Sequence, residues 1–128
     1  MNRRGFTLIE LLIVVVIIGI LAAIAVPKFA ATKERAFIGT MKSDLRNLST
    51  AQESYFYDNN TYYIGAVPAA GFLYNPSRSV VVNIGEATIA GWSATATHTG
   101  AAGKTCAVFY GSATPVAPAT VEGIVTCQ

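Results

Sequence analysis

One carboxylate in this chain stands where a charge is costly. Glu10 lies at the start of an apolar stretch, and no charged residue follows it from Leu11 to Pro27. As a helix, residues 6–27 would measure roughly 33 Å at about 1.5 Å per residue, which is long enough to cross the hydrocarbon core of a bilayer. A carboxylate inside such a segment costs about 2.5–3.5 kcal/mol or more, so Glu10 marks a functional position and needs a partner.

The simplest account of this segment is a secretory signal peptide or a single-pass anchor. A signal peptide usually has an apolar core of about 7–15 residues with a small-residue cleavage site behind it. Here the apolar run is longer and an acid stands at its start, while residues 22–25, Ala-Ala-Ile-Ala, have the composition of a cleavage site. The residues alone leave this alternative open.

The N-terminus resembles that of type IV pilin precursors with a short leader. The matching features are a basic leader over residues 1–5, the Gly5/Phe6 junction, and an acid at the fifth position counted from Phe6. Gly19 and Pro27 inside the apolar helix also match. These features are typical of the superfamily of pilins and secretion pseudopilins, but they cover only the N-terminal region.

The resemblance implies a chemistry for these positions. A membrane prepilin peptidase would cut after Gly5, where the missing Cβ leaves the scissile carbonyl uncrowded, and would N-methylate the new amine of Phe6. Glu10 would pair with the Phe6 amine of a neighbouring subunit, so that two costly charges offset each other. The same pair within one helix is the alternative. Gly19 and Pro27 would bend the free helix and let it melt locally in the filament, or Pro27 would give only a simple kink.

Downstream of Pro27 the chain keeps a helical period. Positions that step by three and four form an apolar stripe containing one amide: Ile38, Met41, Leu45, Leu48, Gln52 and Tyr55. This pattern predicts one helix over 6–57, apolar on all sides over 6–27 and amphipathic beyond, with its stripe against a small domain.

The remainder of the chain predicts a loop and a small sheet. Residues 58–79 contain turn-forming Asn, Gly and Pro residues and are expected to form a connecting loop. Within 80–128, runs at 80–84, 92–98 and 105–110 are typical of strands with short antiparallel connections. The strand face expected against the helix carries Trp92, Ala94, Ala96 and His98. The predicted fold class is therefore α+β.

Both cysteines, Cys106 and Cys127, lie near the C-terminus. A disulfide between them would close a loop of about 22 residues and contribute roughly 3 kcal/mol. The membrane signal favours an exported, oxidising setting, where such a bond persists. The pair also resembles the disulfide-bounded pilin loop on the filament exterior, while two free thiols are the alternative.

Composition argues against several other classes of function. Without Arg3 and Arg4, seven of the nine basic side chains remain against seven acidic ones, so net charge gives no indication of nucleic-acid binding. His98 is the only histidine, and the sequence has no Gly-rich phosphate loop. We therefore expect no catalytic residue, no metal site and no cofactor.

Three functions of different classes follow. The first is a pilus subunit that serves adhesion, twitching motility or DNA uptake. The second is a type II secretion pseudopilin, and the third is a monomeric anchored adhesin or DNA-uptake module. Major pseudopilins commonly bind calcium through several carboxylates in a C-terminal loop. Here only Asp58, Glu86 and Glu122 follow the amphipathic stripe, which favours the pilin.

The resemblance also implies partners and a location. The partners would be further copies of the chain, the prepilin peptidase and the inner-membrane assembly machinery, with a host surface or DNA as additional candidates. The chain would reside in the inner membrane before export as an extracellular filament.

Overall fold

The computed structural model describes Met1 and residues 5–128. Most of the predicted leader, including Arg3 and Arg4, lies outside the described residues. The chain divides into two compact units, Met1–Lys33 and Glu34–Gln128. Its elements in order are α1 (Leu8–Asn59), β1 (Val80–Ala87), β2 (Gly91–His98), β3 (Thr105–Gly111) and β4 (Thr126–Cys127). A long N-terminal helix followed by a four-stranded antiparallel sheet confirms the predicted α+β fold.

Helix α1 begins and ends two residues later than the predicted range of 6–57. Its start is set by Thr7, whose side chain caps the first turn. Its end is set by Asn60, which adopts a left-handed conformation with φ of 55° and donates its N–H to the Phe56 carbonyl at 2.8 Å. This single bond closes the helix, and asparagine tolerates the left-handed region better than most residues.

The apolar stripe of α1 packs on one face of the sheet, as predicted. Met41, Leu45 and Leu48 are fully buried at its centre. The sheet contributes Val80, Val82, Ile84, Trp92, Ala94, Ala96, Cys106 and Val108 to the same core. Because the alanine side chains of β2 are small, the helix can pack close to this strand. The large side chain of Trp92 fills part of the same core and has no exposed surface.

The sheet has the order β1-β2-β3-β4, with each strand antiparallel to its neighbour. Two features differ from the sequence prediction. Strand β1 continues beyond Ile84 to Ala87 through an irregularity between Ile84 and Glu86. Strand β4 was not predicted, because two residues are too few to show a period and their strand conformation depends on pairing with β3.

Residues of the tail cover the second face of β3. Ala107 and Phe109 are buried there together with Ala113 and Ala119, and Val116 packs against this cluster. Val125 and Cys127 pack against the core on the helix side, so the C-terminal region has apolar contacts on both faces of β3.

Two polar side chains of α1 are buried and fasten the connecting loop. Gln52 has no exposed surface, and its amide donates to the Tyr63 carbonyl at 2.9 Å and accepts from the Tyr63 N–H at 2.8 Å. Asp44 accepts from the Ser77 N–H at 2.9 Å and from the Ser77 hydroxyl at 2.8 Å. These contacts explain the amide within the apolar stripe, and they satisfy loop groups that would otherwise lose water.

The Tyr74 hydroxyl adds a contact to the same region. It donates to the backbone carbonyl of Asp44 at 3.1 Å. Burial raises the pKa of Tyr74 above its usual range, and the Asp44 carboxylate raises it further. The hydroxyl therefore stays protonated and remains a donor.

We expect Asp44→Ala to lower the free energy of unfolding by about 1.5–3 kcal/mol, because hydrogen bonds to a charged group contribute that much. Urea unfolding of the detergent-solubilised chain, followed by fluorescence of the buried Trp92, measures the loss. Asp44→Asn keeps an acceptor for the Ser77 N–H and should lose less. Equal losses in both variants would show that the bonds to Ser77 do not carry the effect.

The structure joins Cys106 and Cys127 in a disulfide, as predicted. The two residues are directly opposite in the β3–β4 register. Thr105 and Gln128 exchange both backbone hydrogen bonds, at 3.1 and 3.0 Å, so the cysteines occupy the adjacent pair where side chains approach most closely. Because Cys106 is fully buried in the core, the disulfide ties the tail directly to that core.

Reduction of this disulfide should lower the free energy of unfolding by roughly 3 kcal/mol, as expected for a loop of this length. Urea unfolding with and without a reductant measures the difference in the unchanged chain. The variant with both cysteines replaced by alanine serves as a control that does not respond to the reductant. If the unchanged chain is equally stable in both conditions, the disulfide does not stabilise the fold.

Candidate functional site

The predicted processing junction lies outside any regular element. Gly5 and Phe6 precede α1, and both are exposed. A Cβ built at Gly5 would have no neighbour within 4 Å among the described residues, so their packing does not require a glycine here. The peptide bond between Gly5 and Phe6 therefore lies in an exposed stretch ahead of the helix, and cleavage at this bond stays a prediction.

Glu10 is held by a reciprocal cap at the start of α1. The Glu10 N–H donates to the Thr7 hydroxyl oxygen at 3.3 Å. In return, the Thr7 N–H and the Thr7 hydroxyl donate to Glu10 Oε2 at 2.8 and 2.7 Å. This is a capping box, in which a threonine and a glutamate three residues apart satisfy each other's N–H groups.

The cap leaves one oxygen of the Glu10 carboxylate available to accept further hydrogen bonds. Oε2 accepts both hydrogen bonds from Thr7, whereas Oε1 has no partner among the described residues. Thr7 thus orients the Glu10 side chain and offsets part of its cost in an apolar setting. Sequence reasoning identified Glu10 but missed Thr7, although the Thr-x-x-Glu spacing ahead of an apolar run is the signal that predicts such a cap.

Gly19 and Pro27 both lie inside an unbroken α1. Pro27 has no N–H, so the Ala23 carbonyl lacks its usual helical donor. A Cβ at Gly19 would meet no described residue within 4 Å, so packing within that part of the chain does not require this glycine. The bend in the free helix and the melting in a filament stay predictions.

The first part of α1 exposes a continuous apolar surface. Every Leu, Ile and Val from Leu8 to Val26 is at least 45% exposed. By length and composition, α1 is the one helix in the described part of the chain that could cross a membrane. An apolar surface of this extent needs lipid or other helices against it, since water disfavours it.

The remaining residues show no grouping typical of a metal centre. Among residues 5–128 and Met1, no three His, Cys, Asp or Glu side chains lie close enough to hold an ion. The ring of His98 stacks on Phe37 with centroids 4.0 Å apart, and its Nδ1 accepts from the Gly100 N–H at 2.9 Å. His98 therefore stabilises the β2–β3 turn.

A groove of about 440 Å³ lies beside the end of α1 and was not predicted. Tyr55 and Phe72 contribute aromatic rings to it, packed edge to face at 5.8 Å. Polar groups line the helix side: Asn47, Thr50, Ser54, Asp58 and Asn59. Its aromatic members belong to a cluster at the end of the helix, in which Tyr63 and Phe72 stack with ring centroids 4.2 Å apart.

Comparison with known proteins supports the importance of the N-terminal segment. A family profile described as a prokaryotic N-terminal methylation motif matches residues 1–26. The chain is 49% identical over 78 residues to the type IV major pilin protein PilA of Myxococcus xanthus, which covers 57% of this chain and 36% of that protein. It is 48% identical over 61 residues to the type IV wide pilus major component of Thermus thermophilus, covering 48% of this chain and 47% of that protein.

A relative from secretion systems matches to a similar degree. The type II secretion system core protein G of Pectobacterium carotovorum is 43% identical over 61 residues, covering 48% of this chain and 39% of that protein. The chain thus spans less than half the length of the relatives it matches. These similarities link the chain to pilus subunits and secretion subunits alike.

Proposed function

We propose that this chain, which belongs to the type IV pilin superfamily, is a structural subunit that polymerises into a type IV pilus. The observation that carries the proposal is the capped Glu10 at the start of an apolar helical segment whose Leu, Ile and Val side chains are exposed, directly behind an exposed glycine junction. The helices would bundle in the filament core, and the sheets would face outward. Such a filament would serve surface adhesion, twitching motility or DNA uptake.

Processing would come first. The precursor would sit in the inner membrane with the Gly5/Phe6 junction outside the helix, where a prepilin peptidase hydrolyses the bond and methylates the Phe6 amine. The leader over residues 1–5 would thereby leave the chain. The new amine would lie four residues before Glu10, near the free Oε1 of its own or a neighbouring carboxylate.

Assembly would follow from the charges created by processing. An amine and a carboxylate that are each costly in hydrocarbon compensate one another when paired in good geometry. If Glu10 of one subunit meets Phe6 of the next, the two helices are displaced by about four residues, roughly 6 Å along the axis. The apolar surfaces of the helices would then cover each other as the subunits leave the membrane.

Electron microscopy and mass spectrometry of sheared surface material test the proposal together. We expect abundant filaments whose major mass is this chain, starting at Phe6 with one added methyl group and with Cys106 and Cys127 oxidised. A retained leader, or a start near Val26, would contradict the processing step. Absence of the chain from every filament would contradict the function itself.

The second candidate is a pseudopilin of type II secretion, which the similarity to core protein G favours. The same preparation separates the two functions, because a pseudopilin should not form abundant surface filaments at natural expression. A strain that lacks the chain gives the complementary result. Loss of protein secretion with intact surface filaments would identify the pseudopilin.

A further inference from the structure

The groove beside the end of α1 has the chemistry of a cation site. Asp58 brings a carboxylate to it, and this side chain is exposed and has no ion-pair partner among the described residues. Thr50 and Ser54 bring hydroxyl oxygens, and Asn47 brings an amide. These groups, together with the aromatic ring of Tyr55, suit a guanidinium or ammonium group, which donates several hydrogen bonds and is attracted to a ring face.

A row of cations lies on another side of the same helix. Arg35, Lys42 and Arg46 are spaced by seven and four residues, which places them on one helix face. Arg35 and Arg46 are exposed, and Lys42 is half-buried. Lys104 pairs with Glu34 at 3.5 Å, whereas Arg35, Lys42 and Arg46 have no acidic partner among the described residues.

The placement of the two surfaces determines what kind of association they allow. At about 100° per residue, Asp58 lies roughly 120–160° around the axis of α1 from the three cations, whereas Thr50, at the edge of the groove, lies only about 40° from Arg46. A surface and its complement on different sides of one molecule produce a head-to-tail contact, which repeats from copy to copy. A closed dimer would instead need a patch that complements itself.

We propose that the groove of one copy binds the cationic row of a second copy. The inference rests on the proposed function, since it assigns one contact of the filament, and charge complementarity selects the occupant. Arg46 and Asp58 are separated by 12 residues, so a pair between them needs an axial displacement of about 18 Å.

Crosslinking in sheared filaments tests the contact. Asp58→Cys is combined in one chain with Arg35→Cys, Lys42→Cys or Arg46→Cys, and a short thiol crosslinker is added while the native disulfide stays oxidised. Within one chain even the nearest pair is about 18 Å apart along the helix, so a short crosslink must join two copies. We expect a ladder of multimers with at least one position of the row. The control pair, Asp58→Cys with Thr97→Cys on the exposed sheet surface, should give none.

Charge reversal gives an independent measurement. We expect Asp58→Lys to reduce the number of filaments several-fold, and Arg46→Glu in the same chain to restore it in part. Asp58→Asn, which removes the charge without reversing it, should reduce the number less. High salt should weaken wild-type filaments more than those of Asp58→Asn, because exposed charge pairs are screened.

The outcomes separate this inference from the proposed function. If the unchanged chain forms no filament, the function fails and the inference fails with it. If filaments form but none of the row positions crosslinks to residue 58, the inference alone is overturned. It is also overturned if charge reversal leaves filaments intact and abolishes only their binding to double-stranded DNA, since the row would then face outward to a polyanion.

Discussion

Glu10→Val is expected to leave the precursor cut and inserted but to remove filaments almost completely. Valine eliminates a carboxylate from the apolar segment, so insertion into the membrane becomes easier. Assembly loses one partner of a buried ion pair, which costs about 3–5 kcal/mol, or more than a hundredfold in the assembly equilibrium. Filament counts by electron microscopy, together with the amount of cleaved subunit in the membrane, measure the two effects separately.

The matched control for this prediction is a variant that keeps the cap with Thr7 but loses the charge of Glu10. Glu10→Gln keeps an oxygen that can accept from the Thr7 N–H and hydroxyl, but it has no charge to offer the Phe6 amine. If the ion pair drives assembly, glutamine should fail almost as completely as valine. Normal filaments in Glu10→Gln would show that the cap is sufficient. Normal filaments in Glu10→Val, with the variant incorporated alone, would exclude the pairing between subunits.

Gly5→Val is expected to leave nearly all of the protein as uncut precursor in the membrane. A β-branched side chain next to the scissile carbonyl crowds the approach of the peptidase, whereas glycine has no Cβ at all. No described residue lies within 4 Å of a Cβ at this position, so the fold of residues 8–128 should be unchanged. The intact mass of the protein shows whether the leader is still attached, and the yield of filaments shows how much of the protein is processed and assembled.

The matched variant Gly5→Ala adds the smallest possible side chain. We expect it to be cut more slowly than the unchanged chain but far more completely than Gly5→Val. If the C-terminal unit is equally stable in all three proteins, the difference in cleavage arises from recognition by the peptidase and not from a change in folding. If Gly5→Val is cut and assembled normally, cleavage after Gly5 is not the processing step.

The helix and its buried face were predictable because they depend on local periodicity. The stripe from Ile38 to Tyr55 repeats over many turns, and its central residues are indeed fully buried. The cysteine pair was predictable because only two cysteines exist. The residues around Gly5 and Glu10 were identified by their types and order, and their roles in processing and assembly stay predictions.

The contacts that hold the loop and tail were not predictable in the same way. Nothing in the sequence distinguishes Asp44 from an exposed acidic residue, yet its side chain is buried and accepts hydrogen bonds from Ser77. Strand β4 has only two residues, and its conformation follows from pairing with β3. In each case the partner lies 20 or more residues away along the chain, so no local pattern contains the information.

By itself, the sequence determined an apolar helix with an acid at its start, an amphipathic continuation, a small sheet and a pair of cysteines. These features follow from composition and spacing, which govern burial and helical or strand periodicity wherever the chain folds. Tertiary structure decided that Gln52 and Asp44 fasten the loop, and that loop residues around Phe72 complete a groove beside the end of α1. Those outcomes depend on which distant groups meet, and only the folded chain brings them within hydrogen-bonding distance.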